Sequence, residues 1–299
     1  MTRDEHAERF ALLRPLLFTI AYEILGSATE SDDVLQDSYL RWAQVDLSTV
    51  RDTKSYLAQL VTRQALNALR TDARRREDYV GPWLPEPLLL DDHDPSADVV
   101  LAESVSISML VLLETLSPAE RAVFVLREVF GFDYGEIAGA VGKSAAAVRQ
   151  VAHRAREHVQ ARRPRFASVD PAQNARITAE FLSAAADGDV QTVMSMLAPD
   201  VVWTADGGGK ASAARRPVVG AEKVAAAVIG IVRIGKRIPN ARMELVVCNS
   251  APAVLVYRAE QLEGVFTVEI VDGKITNFYA IRNPDKLAAA ATAREISRA

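Results

Sequence analysis

Apolar residues recur every three or four positions through the first 163 residues, then give way to short alternating runs. The first period predicts helices and the second predicts strands. From about Glu5 to Leu25, Phe10, Leu13, Leu17, Ile20 and Ile24 form one stripe, and Gly26 stops the helix. A second helix, capped by Ser31 or Thr29, carries Leu35, Tyr39 and Trp42 on one face and Asp32, Asp33, Gln36 and Asp37 on the other. Taken alone, that acidic face reads as solvated. A third helix begins near Thr53 and buries Leu57, Leu60, Val61, Ala65, Ala68 and Leu69. Arg63, Asn67, Arg70, Arg74, Arg75 and Arg76 gather toward its end. Arginines also satisfy a helix C-terminus, but a cluster this dense suits phosphate.

From Asp78 to Asp98 the period is lost. Four prolines and an acidic cluster mark a linker, YVGPWLPEPLLLDDHDPSAD. Trp83, Leu84 and the run Leu88 to Leu90 are too apolar for a free tether, so part of it is expected to dock. Helix resumes from about Val99 to Leu116. Ser117-Pro118-Ala119-Glu120 is a capping box, and the helix it opens carries Val123, Leu126, Val129 and Phe130 up to Gly131. Asp133 and Glu136 form a second box, Ile137, Ala138 and Val141 give an apolar face, and Gly142 ends that helix. Ser144 then caps a longer helix. Its buried stripe is Val148, Val151, Ala155 and Val159, and its outer face is Ala146, Arg149, Gln150, His153 and Arg154. Small residues let a helix approach closely, and long donors behind them reach base edges and phosphates. That arrangement suits a recognition helix in a major groove. The alternative is a helical hairpin with a solvated basic face.

Beyond Arg163 the class changes. Helices are expected from about Pro171 to Ala186, and again up to Leu197 after the break at Gly188-Asp189. Strand-like runs follow at Val201 to Ala205, Met243 to Cys248, Val254 to Ala259, Val265 to Val271 and Ile275 to Ile281, with a helix from Ala221 to Ile234 among them. Asp272-Gly273 is a hairpin signal. Helices first and an antiparallel meander afterwards predict an α+β cone.

The chain has 299 residues, enough for two or three domains. Its formal net charge is only −4, so any nucleic-acid contact must come from local basic patches. The single cysteine, Cys248, cannot form an intrachain disulfide, which favours a reduced, cytoplasmic setting. The four histidines are dispersed, so neither metal nor cofactor is expected. MTRDEHAERF lacks an apolar signal core and no apolar run is long enough for a bilayer, so no membrane role is expected.

ESDDVLQDSYLRW, SYLAQLVTRQALNALR with its basic tail, LSPAERAVFVLREVFGFDYGEIAGAVGKS and AVRQVAHRARE occur in order within residues 5–163. Together they resemble the extracytoplasmic-function (ECF) sigma factors of bacterial RNA polymerase. FLSAAADGDVQTVMSMLAPDVVWTADGGGK resembles a SnoaL-like (NTF2-like) domain. WLPEP, DGGGK and NPDKL are all present, as in the SigJ-like group of these sigma factors. The resemblance implies two all-α sigma domains, the second a helix-turn-helix, followed by an α+β SnoaL/NTF2-like cone. The expected bounds are 1–78 for the region-2 domain, 79–100 for the WLPEP linker, 101–166 for the region-4 domain and 170–290 for the cone.

The implied role is to direct core polymerase to specific promoters and initiate transcription, with the cone regulating the rest of the chain. Asp33, Leu35, Gln36 and Asp37 would bind the clamp of the largest polymerase subunit, Leu35 as an apolar anchor; the flap is the second expected contact. Lys54, Arg63, Asn67, Arg70, Arg74 and Arg75 would grip the downstream (minus-ten) element as it melts, with Asn67 and the loop from Val45 to Lys54 supplying the pocket for the extruded base. Ser144, Arg149, Gln150, His153 and Arg154 would read the upstream (minus-thirty-five) duplex. The bland start Ala145 to Ala147 shifts weight onto Arg149, Gln150 and His153. Trp83, Leu84 and Pro85 would meet Asp206, Gly207, Gly208, Gly209 and Lys210, and Asn283, Pro284, Asp285 and Lys286, as regulatory contacts.

A SnoaL-like cone offers a pocket, so a small ligand is a further partner to consider, and retained enzymatic activity is the alternative. No catalytic residue is expected. Asp206 and Tyr257 could serve as acid or base, but the domain has no histidine, and a carboxylate before three glycines reads as a flexible contact loop.

Overall fold

The computed structural model describes residues 3–90, 98–162 and 171–298, with the side chains at 3–4, 72–77 and 171 outside the description. α1 (Arg3–Leu25), α2 (Ala28–Trp42) and α3 (Thr53–Glu77) pack on one another. The cap of α2 is Ser27, not Ser31 or Thr29. Its hydroxyl accepts the Glu30 amide at 3.1 Å, while Ser31 is buried one turn in and donates to the Ser27 carbonyl. Gly26, at φ 71°, supplies the left-handed residue that frees Ser27 to cap.

The expected helix from Val99 to Leu116 is two helices, α4 (Val99–Ser104) and α5 (Ile107–Leu113). Ser106 caps the second by accepting the Met109 amide at 3.2 Å. The break turns Ile107 toward the sheet while Val105 and Met109 stay among the helices. α6 (Pro118–Phe124) carries the expected capping box and runs into a π-turn at Val125–Val129. α7 (Tyr134–Val141) and α8 (Ala145–Arg162) form the helix-turn-helix, with Gly142 left-handed at φ 69° between them. A single apolar cluster runs from Leu17 of α1 through Leu57 and Val61 of α3 to Val148 and Val159 of α8. The two helical modules therefore share one core.

After α9 (Pro171–Asp187) and α10 (Val190–Met196) come β1 (Leu197–Asp206), β2 (Val218–Val219), α11 (Ala221–Gly235), β3 (Ala241–Cys248), β4 (Ala251–Arg258), β5 (Gln261–Val271), β6 (Lys274–Ile281) and α12 (Pro284–Leu287). The sheet order is β2-β1-β6-β5-β4-β3. Strands β3 to β6 are the expected antiparallel meander, but β1 joins it by parallel pairing with β6. Asn249-Ser250 and Asp272-Gly273 all take positive φ, as two-residue type I′ hairpins require. Side chains alternate between the two faces of a strand. One face of the sheet packs on α9 and α11 through Phe181, Trp203, Val228 and Phe278. The other carries Ala253, Leu255 and Ile281 onto Leu84 of the linker and Ile107 of α5.

Candidate functional site

The outer face of α8 stands as its sequence pattern requires. The Ser144 hydroxyl accepts the Ala147 amide at 3.2 Å, and Ser144, Arg149, Gln150, His153 and Arg154 are all exposed. Val148, Val151, Ala155 and Val159 are buried beneath them. The Arg149 guanidinium lies 5.6 Å from the centre of the Tyr134 ring, and His153 lies 3.5 Å from Glu157.

On α2, Asp33, Gln36 and Asp37 are exposed, with Leu40 completing the row at 57% exposure. Their spacing, i, i+3, i+4 and i+7, places them on one face. Leu35 is buried among the helices at 1% exposure, so it cannot anchor a partner. It belongs to the α2 stripe with Val34 and Trp42 that holds the module together. On α3, Asn67 and Arg70 are exposed and bonded to each other at 3.1 Å, and Lys54 is half-buried. Arg63 departs from its expected role. Its Nε and Nη2 donate to the Gly139 carbonyl of α7 at 3.1 and 2.6 Å, and the Ser55 hydroxyl donates to Glu136 nearby. The helix expected to grip melted DNA is thus docked on the helix-turn-helix. Arg74 and Arg75 fall where side chains lie outside the description.

The three short motifs converge on one buried junction. Asp206 is fully buried at the end of β1. Its carboxylate meets Lys286 Nζ at 2.7 Å, accepts the Tyr79 hydroxyl at 2.5 Å and accepts the Leu84 amide at 2.8 Å. Lys286 Nζ also donates to the Leu84 carbonyl at 2.5 Å and sits 4.0 Å from the Trp83 ring centre. Asn283 donates to the Tyr79 hydroxyl at 2.9 Å. Burial first, and then the Asp206 carboxylate, raise the Tyr79 phenol above its ordinary range. Pro85 is buried, whereas Pro284 is exposed. Lys210 pairs with Asp285 at the exposed rim, 2.5 Å apart.

The flexible-loop reading of Asp206 and its glycines is therefore replaced. Gly207 is buried, Gly208 and Gly209 take positive φ, and a Cβ on Gly208 would collide with Asn283. The glycines permit close approach, and the carboxylate is a structural ion-pair partner. Neither Asp206 nor Tyr257 lines the cavity of the cone. Tyr257 lies under the Arg242 guanidinium, 3.9 Å away.

Sequence reasoning missed a second half of the junction. Asn249, at the β3–β4 turn, donates to the Tyr22 hydroxyl of α1 at 2.8 Å and to the Val105 carbonyl at 2.7 Å, and accepts the Leu88 amide at 2.8 Å. Glu86 accepts the Ser27 hydroxyl at 2.7 Å and the Thr29 amide at 3.0 Å. Burial pushes the Tyr22 phenol and the Cys248 thiol up, the latter to about 12. Near the C-terminus Arg294 pairs with Asp32 of α2 at 2.5 Å, beside the exposed acidic row. The available signal was a polar Asn-Ser pair between two apolar runs, which marks a turn without marking what the turn touches.

Residues 10–75 match the Sigma-70 region 2 family, and residues 106–159 match Sigma-70, region 4. Over 290 residues the chain is 39% identical to the ECF RNA polymerase sigma factor SigJ of Mycobacterium tuberculosis, covering 93% of this chain and 91% of that one. It is 32% identical over 283 residues to the probable ECF RNA polymerase sigma factor SigI of the same species, covering 92% of each. The crystal structure of the Mycobacterium tuberculosis SigJ protein matches with a TM-score of 0.77 at 33% identity, covering 95% of this chain and 99% of that one. Among the described residues no helix is long and apolar enough to cross a membrane, and no cluster of ligating side chains could hold a metal.

Proposed function

We propose a working cycle from one premise: the chain belongs to the extracytoplasmic-function RNA polymerase sigma factors. As a sigma factor it directs core polymerase to promoters and starts transcription. Its parts divide that task, with residues 1–78, 101–166 and 170–290 as the moving units. Asp33, Gln36 and Asp37 dock on the clamp, and Leu40 takes the apolar place once assigned to Leu35. Exposed ion pairs are individually weak, so this contact needs buried apolar area as well. Arg149, Gln150, His153 and Arg154 read the upstream duplex, and region 4 meets the flap. Lys54, Asn67 and Arg70, followed by Arg74 and Arg75, hold the downstream element. Unstacking a base costs a few kcal/mol, so the extruded base must be captured.

The cone restrains this machinery. The observation that carries the reading is the docking of α3 on α7 through Arg63 and Gly139. The two promoter elements lie about 25 base pairs apart, or roughly 85 Å at 3.4 Å per base pair. A compact chain of this length has a radius of gyration of about 19 Å. The docked modules cannot grip both elements at once, so promoter binding requires α3 and α7 to part. The junction of Asp206, Lys286 and Leu84 opposes that parting by tying the linker to the sheet.

The test is transcription with purified core polymerase. A chain ended at Phe166 should yield several-fold more promoter-dependent transcript than the full chain; equal yields would sink the regulatory reading. The cone acts by contact and not by catalysis. What supports this is a cavity wall without an ionisable side chain, since acid–base chemistry needs one within reach. A cytoplasmic location fits a partner in core polymerase.

A further inference from the structure

β3 ends the sheet on the side away from β2. Cys248 faces Ala251 across a two-residue turn, so Cys248, Val246, Glu244 and Arg242 bond inward to β4. The alternate residues, Ala241, Met243, Leu245 and Val247, turn their backbone groups outward. At the Cys248 end the linker covers this edge. Leu89 bridges Cys248 in antiparallel fashion, and the Asn249 amide donates to the Leu88 carbonyl at 2.9 Å. At the other end Pro239 and Asn240, the latter at φ 58°, precede the first strand residue. Among the described residues no strand pairs with the outer edge from Ala241 to Val246.

An unpaired edge is a template for another strand, and folds usually blunt it with charge, proline or a covering element. This stretch is not blunted. Its two charges, Arg242 and Glu244, cancel and pair with each other on one face. The other face, turned toward α11, carries Met243, Leu245 and Val247 at 59%, 55% and 54% exposure. Ile231 of α11 lines the same cavity mouth as Met243. It and Ile234, one turn on, are 43% and 61% exposed.

We propose that this edge binds a second copy of the chain, β3 pairing antiparallel with β3 about a two-fold axis at Met243. A two-fold contact uses one surface twice, so the edge must complement itself. Charge selects the register. Centred on Met243, each Arg242 stands opposite Glu244 of the other copy. The pairs within each strand and the pairs across the seam then form a square of alternating sign. Centring on Arg242 or on Glu244 would set like charges face to face, which destabilises a sheet. Centring on Leu245 would run Arg242 against Cys248, where the linker already lies. In the chosen register Met243 exchanges both backbone bonds with its counterpart, and Ala241 does so with Leu245. The two six-stranded sheets become one, with both α11 helices on the same face. The contact belongs to the cone alone and stands independently of the sigma-factor reading, so its test needs neither polymerase nor promoter.

Sedimentation of the full chain at rising concentration should show the mean mass climbing from one chain toward two. Arg242→Glu turns two attractive cross-strand pairs into two repulsive ones, and so does Glu244→Arg. Each variant alone should self-associate about tenfold more weakly. Mixed in equal amounts the two should pair with each other as the parent chain does, because the square alternates again. Cysteine cross-linking reads the register directly. Facing Cα atoms at Met243 would be about 5.5 Å apart, within disulfide range. Met243→Cys should therefore give a linked dimer under mild oxidation. Leu245→Cys should not, since its own copies would lie about 14 Å apart. The parent chain, whose Cys248 is buried, should give no linked band. Pairing in the mixture shows that both charge variants fold; if either does not, the two cysteine variants decide alone. A chain that stays single at its highest soluble concentration overturns the proposal. So does self-association untouched by either charge reversal, or cross-linking at Leu245→Cys equal to that at Met243→Cys.

Discussion

Lys286 is the residue on which the junction turns. Its ammonium meets the Asp206 carboxylate, the Leu84 carbonyl and the Trp83 ring within one buried site. Removing one partner of a buried pair strands the other charge, at about 3 kcal/mol or more. Lys286→Met keeps the aliphatic stem and deletes the charge. The Leu84 amide, held at 2.8 Å by Asp206, should then exchange its hydrogen roughly a hundredfold faster, since 1.4 kcal/mol is about tenfold. Unchanged exchange at Leu84 would show that the Tyr79 hydroxyl and Leu84 amide suffice for Asp206. That Lys286 mattered was readable from its motif. That Asp206 would be its buried counter-ion was not, because three glycines suggest mobility until Asn283 is seen pressing against Gly208.

At the scale of elements, the helical period and the capping boxes placed α1, α3, α6 and the helix-turn-helix from local sequence, because each signal spans a few residues. Local signals also explain the errors. Ser27, Thr29 and Ser31 can all cap, and only the left-handed Gly26 decides among them. The parallel pairing of β1 with β6 joins strands almost 70 residues apart, and no local alternation encodes it. Arg63 looked like a phosphate ligand because its engagement with Gly139 depends on how two helices dock. The β3–β4 hairpin belongs to the same category. Through Asn249 it holds α1, the linker and the residue following α4 together. Asn249→Gly retains the positive φ and deletes all three side-chain bonds. The Leu88 amide and Val105 carbonyl then lose buried partners, at about 1–3 kcal/mol each. Dyes on α2 and α8 should report a larger separated population by energy transfer; an unchanged distribution would mean the hairpin merely rests there.

At the scale of the whole molecule, Glu23 links closure to pH. It sits in α1, its carboxylate accepting the Ser104 hydroxyl at 2.7 Å and its carbonyl accepting Arg121 Nε from α6 at 2.8 Å. Burial raises its pKa to about 8, against the smaller lowering effects of Ser104 and Arg121. In an opened or unfolded chain it ionises near 4.5. The closed form therefore binds the extra proton between about 4.5 and about 8. This contribution to closure is complete below that window and is lost progressively as pH rises through it. Glu23→Gln should flatten the fall in closed-state stability across the window, read by denaturant titration at several pH values; an unchanged slope would place the titration elsewhere. The junction also has a consequence for dosage. In the restraint proposed above, restraint and restrained are one polypeptide, so each copy meets its own tether at an effective concentration of about millimolar, however many copies the cell makes. Under that proposal overproduction cannot outnumber the restraint, and dilution at cell division cannot relieve it. Release must come molecule by molecule, from something that binds each chain.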